Sequence, residues 1–261
     1  MRSLNIGATG MLAQQLNVEV ISNNIANMNT TGFKRQRAEF QDLLYQNLRR
    51  VGAASSDAGT IVPTGVQLGL GVKSAAIYRL SGQGNILQTE NPLDLAVNGR
   101  GLMMVELPSG ETAYTRAGSL QLSPDGDIVT ADGYVVQPGI TVPEDAQSIT
   151  INESGEVYVD LDGQTAPQRV GQLELANFAN EAGLDAIGNN LLLETAASGQ
   201  ATVATPGSAG FGRIIQGALE TSNVNVVAEI TNLITAQRAY EMNSKVIESS
   251  DEMMRSVTQL R

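Results

Sequence analysis

The last 44 residues, Ala218 to Arg261, contain neither glycine nor proline. No earlier stretch comes near that, and it leaves room for one long uninterrupted helix. Ser222, Asn223 and Asn225 offer side-chain oxygens for an N-cap, and Glu229 lies in the first turn, where the helix dipole favours a negative charge. Leu233, Ala236, Tyr240, Asn243, Ile247, Ser250, Met254 and Val257 then recur at alternating steps of three and four. That is a seam of 3.5-residue period. Ion pairs in the favourable order are available at Glu241–Lys245 and Asp251–Arg255. The pattern predicts one helix from about Asn225 to Gln259, roughly 50 Å long. Half of its seam is polar or small, which suits contact with several helices or subunits better than one tight partner.

The other end carries a matching stripe: Leu4, Ala8, Met11, Gln15, Val18, Ser22 and Ile25, broadened by Leu12 and Ile21. Ser3 can cap its start. Gly7 and Gly10 each weaken the helix by roughly 1 kcal/mol relative to alanine, but small residues on a seam permit close backbone approach. The turn formers Asn29-Thr30-Thr31-Gly32 should end it. Two half-apolar helices at opposite ends are expected to pack on each other and bring the termini together.

A net charge of −11 argues against nucleic acid and anionic membrane as partners. The chain has no cysteine and no histidine, which removes disulfides, thiolates, the usual zinc ligands and the commonest general base. No apolar run approaches the ~20 residues of a membrane span. Asn5, Gln14, Gln15 and Asn17 interrupt any apolar core of a cleaved signal, so the expectation is a cytoplasmic protein or one exported by another route.

Between the ends, residues 81–221 show short alternating segments separated by turn signals, which predicts an all-β domain. Leu93, Leu95 and Val97 alternate ahead of Asn98-Gly99. Leu120 and Leu122 precede Pro124-Asp125-Gly126. Ile128, Val129, Tyr134, Val135 and Val136 flank Asp132-Gly133, and Val157, Val159 and Leu161 follow Ser154-Gly155. Leu173, Leu175 and Phe178 form another strand, and Thr195 to Gly212 reads as a surface loop. Phe33 to Leu48 suits either an amphipathic helix or an extended connector. Residues 49–63 have the composition of a flexible loop, and Val62 to Arg79 reads as returning strands.

Residues 22–34 contain four asparagines within seven residues, followed by Thr-Gly-Phe-Lys. Asn23, Asn24, Ile25, Ala26 and Asn27, then Thr31, Gly32, Phe33 and Lys34, resemble the N-terminal signature of the flagellar rod and hook family of axial proteins. Ser222-Asn223-Val224-Asn225, Gln237-Arg238-Ala239-Tyr240-Glu241, Asn243 and Lys245 resemble its C-terminal signature. Weaker matches in the middle, at residues 91–97, 113–118 and 183–184, extend the resemblance over essentially the whole chain. The fold it implies is α+β. Residues 1–32 with 222–261 form a terminal helical, coiled-coil-like domain, 33–80 an extended β-hairpin-like connector with its tip near 50–62, and 81–221 an all-β outer domain. The connector resembles an insert that separates one rod member of the family from the hook protein and stiffens the rod.

The function implied is a structural subunit that polymerises into a rigid helical tube, carries motor torque and conducts exported subunits. Its own copies, proximal rod proteins, the hook protein, P-ring and L-ring proteins and the flagellar type III export apparatus are the implied partners. No catalytic residue, metal or cofactor is implied. The expected assembly interface comprises Leu4, Ala8, Met11, Val18, Asn23, Asn24, Ile25, Ala26, Asn27, Thr31, Gly32 and Phe33 at one end. At the other it comprises Leu233, Gln237, Arg238, Tyr240, Asn243, Ile247 and Met254.

Alternatives remain open. A proximal rod or hook paralogue shares the signatures. Carboxylates such as Glu106 with Glu111, or Asp160 with Asp162, leave room for a peptidoglycan hydrolase, although sequence alone does not set the ~5–10 Å separation such a pair needs. Gly82-x-Gly84 and Gly99-x-Gly101 do not open a helix, and Asp125, Asp127 and Asp132 lack a calcium-loop pattern, so both sets read as turns.

Overall fold

Asn225 caps the C-terminal helix, its Oδ1 accepting from Ala228 N–H at 3.1 Å. That helix, α2, spans Val226–Gln259, and α1 spans Arg2–Ala26. The structure, a computed structural model, describes residues 2–49, 64–162 and 166–259. Two compact units divide the chain. A helical unit contains residues 1–25, 36–78 and 225–261, and a β unit contains 26–35 and 79–224.

In the helical unit α1 and α2 run antiparallel. A Cβ on Gly7 would lie 2.9 Å from Ile247 Cγ1, and one on Gly10 would lie 2.8 Å from Asn243 Nδ2. Asn24 Nδ2 donates to Glu229 Oε2 at 3.4 Å, so rising numbers on α1 meet falling numbers on α2. The glycines that weaken α1 thus allow the backbones to close. The inward face of α1 differs from the expected stripe. Gly7, Ala13, Val20, Ile21 and Asn24 are buried; Leu4, Ala8, Met11, Val18 and Ile25 are half-buried, and Gln15 and Ser22 are exposed. Two neighbouring stripes share the same spacing, and the one with the smaller residues permits the closer approach. On α2, Ala236 and Ser250 are buried and Leu233, Asn243 and Ile247 half-buried. Its polar positions fold back on the helix: Thr231, Thr235, Ser250 and Thr258 hydroxyls donate to the carbonyl four residues earlier.

Residues 36–79 supply strands, not an amphipathic helix: β1 (Gln36–Asp42), β2 (Tyr45–Arg49), β3 (Val66–Gly69) and β4 (Val72–Arg79). β1 pairs β4 and β2 pairs β3, giving a two-stranded ribbon with Tyr45 opposite Gly69 and Gln46 opposite Leu68. Val72 N–H donates to Thr9 Oγ1 at 3.4 Å, and Gly71, at φ +123°, leaves room for that hydroxyl. The expected tip at 50–62 lies outside the described residues.

The β unit is antiparallel. Its strands are β5 (Ile86–Gln88), β6 (Leu95–Asn98), β7 (Leu102–Glu106), β8 (Thr112–Thr115), β9 (Leu120–Leu122), β10 (Ile128–Thr130) and β11 (Val135–Val136). β12 (Ala146–Ile151), β13 (Glu156–Leu161), β14 (Gln168–Gln172), β15 (Leu175–Asn177), β16 (Asp185–Gly188) and β17 (Leu191–Leu193) follow. The last three are β18 (Thr202–Ala204), β19 (Arg213–Gln216) and β20 (Ala218–Glu220). The largest sheet runs β16-β17-β8-β7-β11-β10-β9, with β15 also on β7 and β18 on β15. β12, β13 and β14 form a second sheet, and β19 pairs β6 as β20 pairs β5. β7 is buried on both faces: Val105 joins Leu95, Ile128, Val157, Val159 and Ile214 in the main core, whereas Met104 packs with Tyr114 and Phe178. β18 arises inside the segment expected to be a surface loop; its Val203 pairs Ala176.

Candidate assembly elements and a buried charge node

The N-terminal signature is divided by function in the fold. Asn24 lies in the helical unit, 1 % exposed, and its amide is spent within the chain. Oδ1 accepts from Gln36 N–H at 2.8 Å, and Nδ2 donates to Gln36 C=O at 2.8 Å as well as to Glu229. Residues 26–35 join the β unit. After α1 ends at Ala26, Thr30 N–H donates to Asn27 C=O at 3.2 Å and the Thr30 hydroxyl to Asn27 Oδ1 at 3.1 Å. Gly32 N–H donates to Glu220 C=O at 2.9 Å. Gly32 sits at φ +70°, and a Cβ there would come within 2.7 Å of the Arg116 carbonyl carbon. Only glycine meets both demands.

Lys34, Arg116 and Glu220 meet beside this turn. Glu220, 1 % exposed, accepts from Lys34 Nζ at 2.6 Å and Gly84 N–H at 2.8 Å on one oxygen, and from Arg116 Nε at 2.5 Å on the other. The rest of the Arg116 fork closes on the bend that joins β6 to β7. Nη2 donates to Val97 C=O at 2.7 Å and Gly99 C=O at 2.6 Å, and Nη1 donates to Gly101 C=O. Lys34 Nζ also reaches Gly82 C=O at 3.0 Å. Burial alone raises the Glu220 carboxyl. The Arg116 guanidinium and the hydrogen bonds from Lys34, Arg116 and Gly84 outweigh it and hold the group below the usual carboxylate value. Burial lowers the Lys34 ammonium, opposed by the Glu220 carboxylate.

Asn223 completes the junction inside the β unit. Its Oδ1 accepts from Arg35 N–H at 2.7 Å, and Nδ2 donates to Leu80 C=O at 2.9 Å and Gly82 C=O at 2.8 Å. One amide therefore holds Arg35, Leu80 and Gly82 together within the β unit. Sequence reasoning named Asn223 as a cap and missed this role; it missed Glu220 entirely. The available signal was Glu220 standing two residues from Ala218 on the buried face of a strand.

The remaining residues expected at an assembly interface fall into two groups. Ile25, Asn27, Thr31, Phe33, Leu233, Asn243 and Ile247 are half-buried within the chain. Asn23, Ala26, Gln237, Arg238, Tyr240 and Met254 are exposed. The outward faces of α2 also present Val227, Ile230, Ile234, Met242, Val246 and Met253, with Val227 76 % exposed. Sequence reasoning did not single out Val227, Ile230, Ile234 or Met242, which lie off the seam. The carboxylates weighed for catalysis are surface turn and strand residues. Glu106 and Glu111 are exposed beside the 107–110 turn, Asp160 accepts from Ser148 at 2.5 Å, and Asp162 accepts from Gln147 at 3.0 Å. Among the described residues no helix is long and apolar enough to cross a membrane.

Known proteins resemble the chain along most of its length. Residues 4–34 match the family model described as flagella basal body rod protein. Residues 96–159 match the flagellar hook protein FlgE/F/G D1 domain, and residues 215–260 the flagellar basal body rod FlgEFG protein C-terminal model. The chain is 64 % identical to the flagellar basal-body rod protein FlgG of Caulobacter vibrioides over 261 residues, covering 100 % of both. It is 52 % identical to FlgG of Agrobacterium fabrum over 253 residues, 97 % of each chain. It is 31 % identical to the flagellar hook-basal body complex protein FlhP of Bacillus subtilis over 273 residues, 100 % of each.

Proposed function

The chain belongs to the flagellar basal-body rod protein family, and from that premise we propose that it is a structural subunit of the distal rod that polymerises with its own copies. The observation that carries this reading is the pairing of family membership with helices whose outer faces hold unpartnered apolar side chains. Burial of apolar area is what drives most association between proteins. Contacts of this kind that do not close on themselves build an open helical filament. In this reading the helices form the inner layer of a tube, residues 81–221 its outer layer, and the ribbon of residues 33–80 adds contacts between neighbours.

The tube would lie between proximal rod and hook, inside the P and L rings, with subunits delivered through the flagellar type III export apparatus. It transmits torque and performs no catalysis. The identity to FlgG chains, well above that to FlhP, favours the distal rod over a paralogue. Glu106 and Glu111, exposed on a hairpin, offer no enclosed site that supports the hydrolase reading.

Removing the chain from its cell should abolish swimming, and resupplying it should restore motility. A chain lacking residues 50–62 should still build filaments, but with a bending stiffness several-fold lower by fluctuation analysis of electron micrographs. Equal stiffness would remove the ribbon from the account.

A further inference from the structure

The net charge of the chain is distributed very unevenly between the two units. The helical unit contains nine basic and nine acidic side chains and is formally neutral. The β unit contains seven basic and eighteen acidic ones and carries the whole net charge of −11. Six of its cations have partners within the unit. Lys34 and Arg116 hold Glu220, Arg100 holds Glu181, Arg169 holds Glu156, and Arg213 holds Glu153. The Arg79 guanidinium donates to Leu184 C=O. Exposed apolar side chains show the opposite distribution. Seventeen of the twenty-three large ones exposed among the described residues belong to the helical unit, which has fewer described residues than the β unit.

We infer that cohesion between copies resides in the neutral, apolar helical unit, and that the β units of neighbouring copies repel one another, so that polymerisation requires screening by salt. The inference rests on the polymer proposed above. Like-charged surfaces destabilise a compact assembly through self-repulsion. The committed cations leave few groups that could bridge one β unit to the next by an ion pair. Between about 0.01 M and about 0.15 M salt the screening length falls from ~30 Å to ~8 Å, from the width of a small domain to less than that of one helix.

The test is the critical concentration of the purified full-length chain, read by sedimentation at about 10 mM and about 150 mM sodium chloride. Chloride is chosen because sulfate would strengthen apolar burial directly. The expected result is a fall of about tenfold or more as salt rises. A variant carrying E106Q, E111Q, D132N and E144Q, all on exposed β-unit positions, should polymerise at low salt at a lower concentration than the parent and respond less to salt. Polymers whose critical concentration stays constant or rises with salt would overturn the inference and leave the polymer reading intact. So would a variant with the parent's full salt response. Absence of polymer at every salt concentration would sink both.

Discussion

Replacing Glu220 by alanine is expected to destabilise the β unit by about 3–5 kcal/mol, the cost typical of removing one partner from a buried ion pair. The substitution strands two cations: Lys34, and Arg116 at 9 % exposed. Against a domain stability of roughly 5–15 kcal/mol the loss is a large fraction. Urea unfolding of the full chain should show the midpoint falling sharply, and Glu220→Gln, which keeps hydrogen-bonding capacity, should cost less. A midpoint unmoved in Glu220→Ala would mean that the node is decorative.

The same residue fixes the direction of the acid response. The folded carboxyl is held below its ordinary value of 4.5. Its stabilisation is therefore complete above pH 4.5 and disappears as pH falls through the lowered folded value. Lys34 is shifted down from 10.5, so its charged form is disfavoured by folding and its effect on stability is relieved only as pH rises through its folded value. Parent stability should consequently decline on the acid side below about pH 4.5, and Glu220→Ala should lose much of that slope.

The second large effect is expected on the α1–α2 contact. Leucine at both Gly7 and Gly10 adds bulk where a single Cβ already comes within 2.9 Å of Ile247 and 2.8 Å of Asn243. Helix propensity improves by roughly 1 kcal/mol at each position. Overpacking costs about 1–3 kcal/mol each and drives the helices apart, so packing prevails over propensity. The double variant should fail to polymerise, while the β unit melts as it does in the parent. Filaments of ordinary diameter from this variant would show that the close approach of α1 and α2 is dispensable.

Much of the architecture was legible because local chemistry fixed it. The Asn225 cap and the absence of glycine and proline placed α2 almost to the residue. Asn-Gly, Asp-Gly and Ser-Gly pairs marked the turns between strands that the structure contains. Other features depended on distant partners. Periodicity could not choose between two stripes on α1, since Gly7 and Gly10 become informative only once Ile247 and Asn243 face them. Nothing local to Thr31-Gly32-Phe33-Lys34 announces a partner at Glu220, 186 residues from Lys34. The short strand β18 exists because β15 offers it an edge. Asn24, expected to reach neighbouring subunits, and Asn223, expected to cap α2, instead spend their amides on backbone groups of their own chain. They hold those turns in place, whereas Val227, Ile230 and Met242 on α2 stay exposed.

Copies of this chain are proposed to associate through their terminal helices into an open helical tube. Cryo-electron microscopy of polymers grown from the purified chain, at a resolution that separates helices, tests it most directly. The expected map shows α1 and α2 lining the inner wall, Val227, Ile230 and Met242 covered by neighbouring subunits, and the β units outside. Polymers joined through the β units, with those α2 side chains facing solvent, would contradict it.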